Sequence, residues 1–119
     1  MKSSEANEQA TLIQWCKLNS NKYPKLDLIF AIPNGGKRNL KEAHNLRLQG
    51  VRAGVMDLFL PVASNGKHGL WIEMKYGKNT LTQAQQYWYW KMIDEGYEVR
   101  VCYSADEAIE EIKSYLKIK

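Results

Sequence analysis

Residues 70–76, LWIEMKY, constrain this chain most. The run is apolar enough for a buried strand, yet it carries Glu73 and Lys75 two positions apart. Successive strand residues point to opposite faces. Leu70, Ile72 and Met74 therefore share one face, and Trp71, Glu73 and Lys75 the other. A second apolar run, VMDLFL at 55–60, holds Asp57 between Met56 and Leu58. The turn signal Ser64-Asn65-Gly66 lies between the two runs and predicts that they pair as a hairpin. Paired in this way, Asp57 and Glu73 project from neighbouring strands into one site. A Glu-x-Lys on a strand is more often a solvated face with an ion pair worth roughly 0–1 kcal/mol. A carboxylate enclosed by apolar strand residues is different, because its burial is costly unless it is paired or bound to a cation.

The rest of the chain frames this hairpin. Residues 4–19 place Leu12, Ile13, Trp15 and Cys16 at helical spacing behind Ser4 as N-cap, with Glu5 in the first turn. LDLIFAI at 26–32 reads as a strand, ended by Pro33 and the turn Asn34-Gly35-Gly36. Residues 39–49 read as a short basic helix closed by Gly50. Thr80 with Gln83 reads as a capping box for a helix that runs to Glu95 and stops at Gly96. Residues 97–103 alternate as a strand. Ser104 with Glu107 then opens a last helix, whose Ala108, Ile109, Ile112, Tyr115 and Leu116 form an apolar stripe. The order α-β-α-β-β-α-β-α predicts the α/β class, a small mixed β-sheet flanked by helices. With no repeat or linker, residues 1–119 are expected to form a single domain.

Composition narrows the function classes. No stretch approaches the roughly 20 apolar residues of a bilayer span, and the opening MKSSEANEQA lacks a signal-peptide core. No membrane partner is expected, and the expected location is the cytoplasm of a bacterium or a phage-infected host. Cys16 and Cys102 show no CxxC spacing and read as reduced core residues. His44 and His68 add no zinc-ligand spacing to them and read as solvated polar residues. The net charge is +4, and it is unevenly spread. Lys37, Arg38, Lys41, Arg47 and Arg52 face only Glu42 over their stretch, whereas residues 94–111 are acidic. One end of the protein can thus present a basic surface to a polyanion.

Two carboxylates on adjacent strands are the minimum cradle for a hard divalent cation such as Mg²⁺, which binds where a substrate phosphate completes its shell. Such an ion polarises a phosphoryl oxygen and lowers the pKa of a bound water. A lysine beside it neutralises charge developing on the phosphate or orients the attacking water.

Over residues 32–116 the chain resembles the VRR-NUC family, a branch of the PD-(D/E)xK nuclease superfamily, in its small stand-alone form often carried by phages. The resemblance runs through Pro33-Asn34-Gly35-Gly36, Gly50-Val51-Arg52-Ala53-Gly54-Val55-Met56-Asp57 and Gly69-Leu70-Trp71-Ile72-Glu73-Met74-Lys75. It continues through Leu81-Thr82-Gln83-Ala84-Gln85 with Trp88, then Gly96-Tyr97 and Val99-Arg100-Val101-Cys102. Where the family usually has Gly-Val-Pro-Asp, this chain has Met56 before the acid. The resemblance implies a restriction-endonuclease-like core with Asp57, Glu73 and Lys75 as catalytic residues and Gln85 as a site neighbour. It also implies an acid on the first helix, Glu5 by the family pattern with Gln9, or Glu8 three residues along on nearly the same face. Asp57, Glu73 and the first-helix acid, Glu5 or Glu8, are then the metal ligands, with Mg²⁺ or Mn²⁺ as cofactor.

The expected activity is that of a divalent-metal-dependent DNA endonuclease. Stand-alone members resemble Holliday-junction resolvases, which implies a homodimer acting on branched DNA. The alternatives are a non-catalytic DNA-binding module, or a nuclease of the same chemistry acting on single-stranded or duplex DNA. Asn34, Gly35, Gly36, Lys37 and Arg38 can bring backbone N–H groups and cations to a phosphate, and Arg47 and Arg52 can contact backbone phosphates. Of the aromatic run, Trp88 reads as core. Tyr87, Tyr89 and Trp90 read as candidates for a dimer surface, and Trp71 as a wall of the site.

Overall fold

The computed structural model describes residues 4–33 and 39–119. Helix α1 (Glu5–Asn19) begins where the Ser4 side chain accepts from the Asn7 N–H. Strands β1 (Phe30–Ala31), β2 (Leu58–Leu60), β3 (Leu70–Met74) and β4 (Glu98–Cys102) form one four-stranded sheet in that order. β1–β2 and β2–β3 are antiparallel, while β3–β4 is parallel, with α3 (Gln83–Asp94) as the crossover. Helix α2 (Leu40–Leu48) buries no residue, and α4 (Ala105–Leu116) closes the chain. The fold is therefore the expected mixed α/β one.

The two faces of the sheet differ. Leu58, Leu60, Leu70, Ile72 and Met74 pack beneath α1 and α4 against Leu12, Cys16, Ala108 and Ile112, all essentially sealed from solvent. Burying a side chain of this size contributes about 1.5–3 kcal/mol, so this face holds the molecule together. Tyr115 ties the hairpin turn to α4: its hydroxyl donates to the Val62 carbonyl at 2.6 Å and its own carbonyl accepts from Ser64 Oγ. The opposite face carries Asp57, Phe59, Trp71 and Glu73, with Gln85 of α3 reaching Glu73. Among the described residues no helix is long and apolar enough to cross a membrane.

Two elements depart from expectation. LDLIFAI is not one strand: residues Pro24–Leu28 form a 3₁₀ turn and only Phe30–Ala31 pair. Pro24 pre-sets the turn, and burial explains the rest. A strand would put Leu26, Leu28 and Phe30 on one face, yet Leu26 is buried while Leu28 and Phe30 are about half exposed. The capping box lies two residues later than Thr80 and Gln83. The Thr82 hydroxyl accepts from the Gln85 N–H, and the Gln85 side chain accepts from the Thr82 N–H at 2.9 Å.

Gly54 is where the chain before β2 meets α3. Its φ is +89°, and a Cβ there would lie 2.5 Å from the Ala84 carbonyl carbon. No side chain fits, and the backbone angle is strained for any other residue. Gly54→Ala is therefore expected to lower stability by about 1–3 kcal/mol, read as a drop in urea midpoint. An unchanged midpoint would show that the loop and α3 are not in contact.

Candidate active site

The hairpin register sets the site. Leu58 pairs with Ile72 and Phe59 with Trp71, so one step further Asp57 comes opposite Glu73. Asp57 sits at the bend just before β2 and is fixed at two points. Its carbonyl accepts from the Ile32 N–H at 2.8 Å, and its Oδ2 accepts from the Met74 N–H at 2.7 Å. Glu73 is 2% exposed. Its Oε2 accepts from Gln85 Nε2 at 2.9 Å and lies 4.0 Å from Lys75 Nζ. Its Oε1 is buried with no hydrogen-bond partner among the described residues. Lys75 is also buried, just past the end of β3, where its N–H donates to the Cys102 carbonyl at 2.8 Å.

Gln85 holds two elements at once. One end of its amide closes the cap of α3 and the other clamps Glu73. The first turn of α3, with its partial positive charge, is thereby held against a carboxylate.

Burial, then the Asp57 charge, push the Glu73 carboxyl up to about 8, and Lys75 opposes this. Burial also raises Asp57, against the lowering effect of its bond from Met74. The pair thus favours sharing one proton, mainly on Glu73. Glu5 raises both carboxyls through its charge, which sets it within electrostatic reach of the pair. Glu8 reaches α4: its Oε1 accepts from the Ala105 N–H at 2.9 Å, at the start of that helix. Among the described residues no group of three or more His, Cys, Asp and Glu forms a ready metal cluster. The acids that gather are the Asp57–Glu73 pair with Glu5 nearby.

Asn34, Gly35, Gly36, Lys37 and Arg38 lie outside the described residues. Arg47 is exposed in the last turn of α2. Arg52 lies over the Trp88 ring, 4.9 Å from its centre. Trp88 is only half-buried, and its indole N–H donates to the Ala53 carbonyl at 3.0 Å. The signal for this contact was the spacing of Trp88 three residues after Gln85, which puts both on one side of α3. Trp71 stacks on Phe59 at 4.2 Å beside Glu73. Cys16 and Cys102 are free and buried, and burial pushes their thiols up to about 11 and about 12, which makes them unreactive packing residues.

Comparison with known proteins identifies the family and the fold. The VRR-NUC domain family matches residues 3–106. A solved structure described as a VRR_NUC domain protein superposes with a TM-score of 0.84 at 30% identity, covering 100% of this chain and 93% of that one. No curated protein matches.

The raised Glu73 pKa has a stability consequence with a definite sign. The folded state holds the Glu73 proton to about 8, whereas the ordinary value is 4.5. The stabilisation is full below the ordinary value and is lost as pH rises through the folded one. In EDTA, the melting temperature of the wild type relative to Glu73→Gln should therefore fall as pH rises from 4.5 to about 8. Parallel melting curves for the two proteins would overturn the buried, protonated pair.

Proposed function

The chain belongs to the VRR-NUC domain family of nuclease domains, and on that premise we propose that it is a divalent-metal-dependent DNA endonuclease acting on branched DNA of the Holliday-junction type. The observation that supports this reading is the buried Glu73 beside the half-buried Asp57, with the Lys75 ammonium 4.0 Å from Glu73. Burial of an acid and a base next to a second acid is costly. In a hydrolase of phosphodiesters that cost buys charge placed where the reaction needs it.

The donor set fits Mg²⁺ or Mn²⁺. Its atoms are hard carboxylate oxygens, and one of them, Glu73 Oε1, is buried with no N–H donor among the described residues. Asp57 and Glu73 would hold the ion, with Glu5 as the third acid. When bound, the ion neutralises the phosphate and lowers the pKa of a water. The remaining work falls to the chain itself. Lys75 places positive charge where negative charge builds as water adds to phosphorus and the sugar oxygen leaves. Gln85 fixes the orientation of Glu73, and the Met74 N–H fixes that of Asp57. Glu8 holds α1 against α4 and thus supports Glu5 from one turn away.

A four-way junction presents two symmetry-related strands, so the working form is a homodimer with two such sites. Tyr87 and Trp90 on α3 are 50% and 61% exposed, a large flat apolar area of the kind interfaces use. The setting is cytoplasmic, where the two buried thiols stay reduced.

The test is purified protein with Mn²⁺ or Mg²⁺ on four-way junctions, flaps, duplex and single strands. Junctions should be cut in preference, EDTA should stop cutting, and Lys75→Ala or Asp57→Asn should slow it by about 100-fold or more. Cutting that survives Lys75→Ala or EDTA would remove these residues from the chemistry. Equal cutting of plain duplex would remove the preference for branches. Separately, light scattering should report a dimer that Trp90→Glu converts to monomer, and an unchanged mass would take α3 out of the interface.

A further inference from the structure

Beside the carboxylate pair lies a cleft of about 430 Å³, in the size range of small-ligand sites. Ile32, Val55, Trp88 and Met92 give it apolar walls, while Gln49 and Arg52 contribute the polar side chains. Its walls come from the segments that also carry the site residues. Ile32 donates to the Asp57 carbonyl, Val55 lies two residues before Asp57, and Trp88 lies three residues after the Gln85 that clamps Glu73.

We propose that this cleft receives one unpaired nucleobase of the strand being cut, next to the scissile phosphate. That assignment rests on the nuclease reading above and deepens it by naming what is read beside the cut. Three observations converge on a base. First, the wall is a flat indole whose ring already accepts a guanidinium at 4.9 Å, the pair of surfaces between or upon which bases stack. Secondly, the charge is complementary: Arg52 is exposed and belongs to the basic stretch of a chain of net charge +4. A cleft that is apolar with one cation, Arg52, among the described residues suits an aromatic ring attached to a phosphate, and suits a bare phosphate poorly. Thirdly, the cleft is built in place. The Trp88 N–H is fixed to the Ala53 carbonyl, and Arg52 lies between Gly50 and Gly54, whose φ values of +100° and +89° set the shape of the loop.

A base seated there belongs to a nucleotide that has left its helix, as nucleotides at a branch point do at little cost. The cleft would therefore favour branched or single-stranded DNA over plain duplex through its own contacts.

The experiment walks one abasic residue through the positions flanking the cut in otherwise identical junctions and maps the products. At one fixed offset from the cut phosphate, cutting should slow roughly tenfold, the scale of one lost stacking contact, while other offsets keep the parent rate. Arg52→Ala, with its fold checked by melting, should cut the intact junction more slowly and show no further loss on the abasic one. Equal rates at every offset, with the intact junction cut normally, would overturn the base cleft and leave the nuclease standing. Affinities of the same series in EDTA give a readout without cleavage. A loss at one position that Arg52→Ala erases supports the cleft even where no cutting occurs, which would sink the nuclease reading alone. Flat affinities overturn the cleft.

Discussion

Glu73, sealed from water, lies opposite the half-buried Asp57 in the hairpin register, and several elements of this fold contribute to holding the two acids there. Ile32 beside β1 supplies an N–H to the Asp57 backbone, and β3 supplies the Met74 N–H to its side chain. α3 brings Gln85 to Glu73 through its own cap. β4 offers the Cys102 carbonyl that fixes the backbone of Lys75, and α1 delivers Glu5. Each hydrogen bond contributes about 0.5–1.5 kcal/mol, which is small against the burial of an uncompensated charge. What offsets the cost is the concentration of these bonds at one point, together with the upward push that burial gives both carboxyls, which favours their neutral forms.

This concentration is possible because the sheet divides its labour. Stability comes from the face under α1 and α4, where Leu58, Ile72 and Met74 are sealed. The other face is freed from packing duty and carries polar and aromatic groups in rows. Phe30, Phe59 and Trp71 stand on successive strands, the first two edge to face at 5.8 Å and the last two stacked at 4.2 Å. Gly69 leaves room for that row, since a Cβ there would lie 2.7 Å from the Phe59 ring. The carboxylates occupy the next row. Flat apolar surface and buried charge therefore stand side by side.

The alternation in LWIEMKY is a local property, which is why it separated the core face of β3 from the site face correctly and why pairing it with VMDLFL put Asp57 across from Glu73. What depended on distant partners was less legible. Glu5 and Glu8 are equivalent by helical spacing, and the sequence could not foresee that the Ala105 N–H, 97 positions away, bonds to Glu8. Thr80-x-x-Gln83 and Thr82-x-x-Gln85 fit the same capping pattern, and the second is used where Gln85 also reaches Glu73. Leu26, Leu28 and Phe30 read as strand because their β-propensity is real. The burial of Leu26 against α1 and the turn set by Pro24 overrode it.

The eight residues from Gly50 to Asp57 bind these observations into one mechanical unit. Within that segment Arg52 lies on Trp88, Ala53 accepts from the same indole, Gly54 abuts Ala84, and Asp57 takes the Met74 N–H. Three of those four contacts are made with α3, the helix that also positions Glu73 through Gln85. A displacement of α3 relative to this segment would therefore move the cleft and both carboxylates together. Misplacement of a catalytic group by about 1 Å is enough to cost on the order of 100-fold in rate. A nucleotide that fits the cleft and one that does not would then differ in how well the acids are aligned as well as in how tightly they bind. On the proposed reading, recognition and chemistry would be joined through Gly54, where a Cβ would collide with the Ala84 backbone.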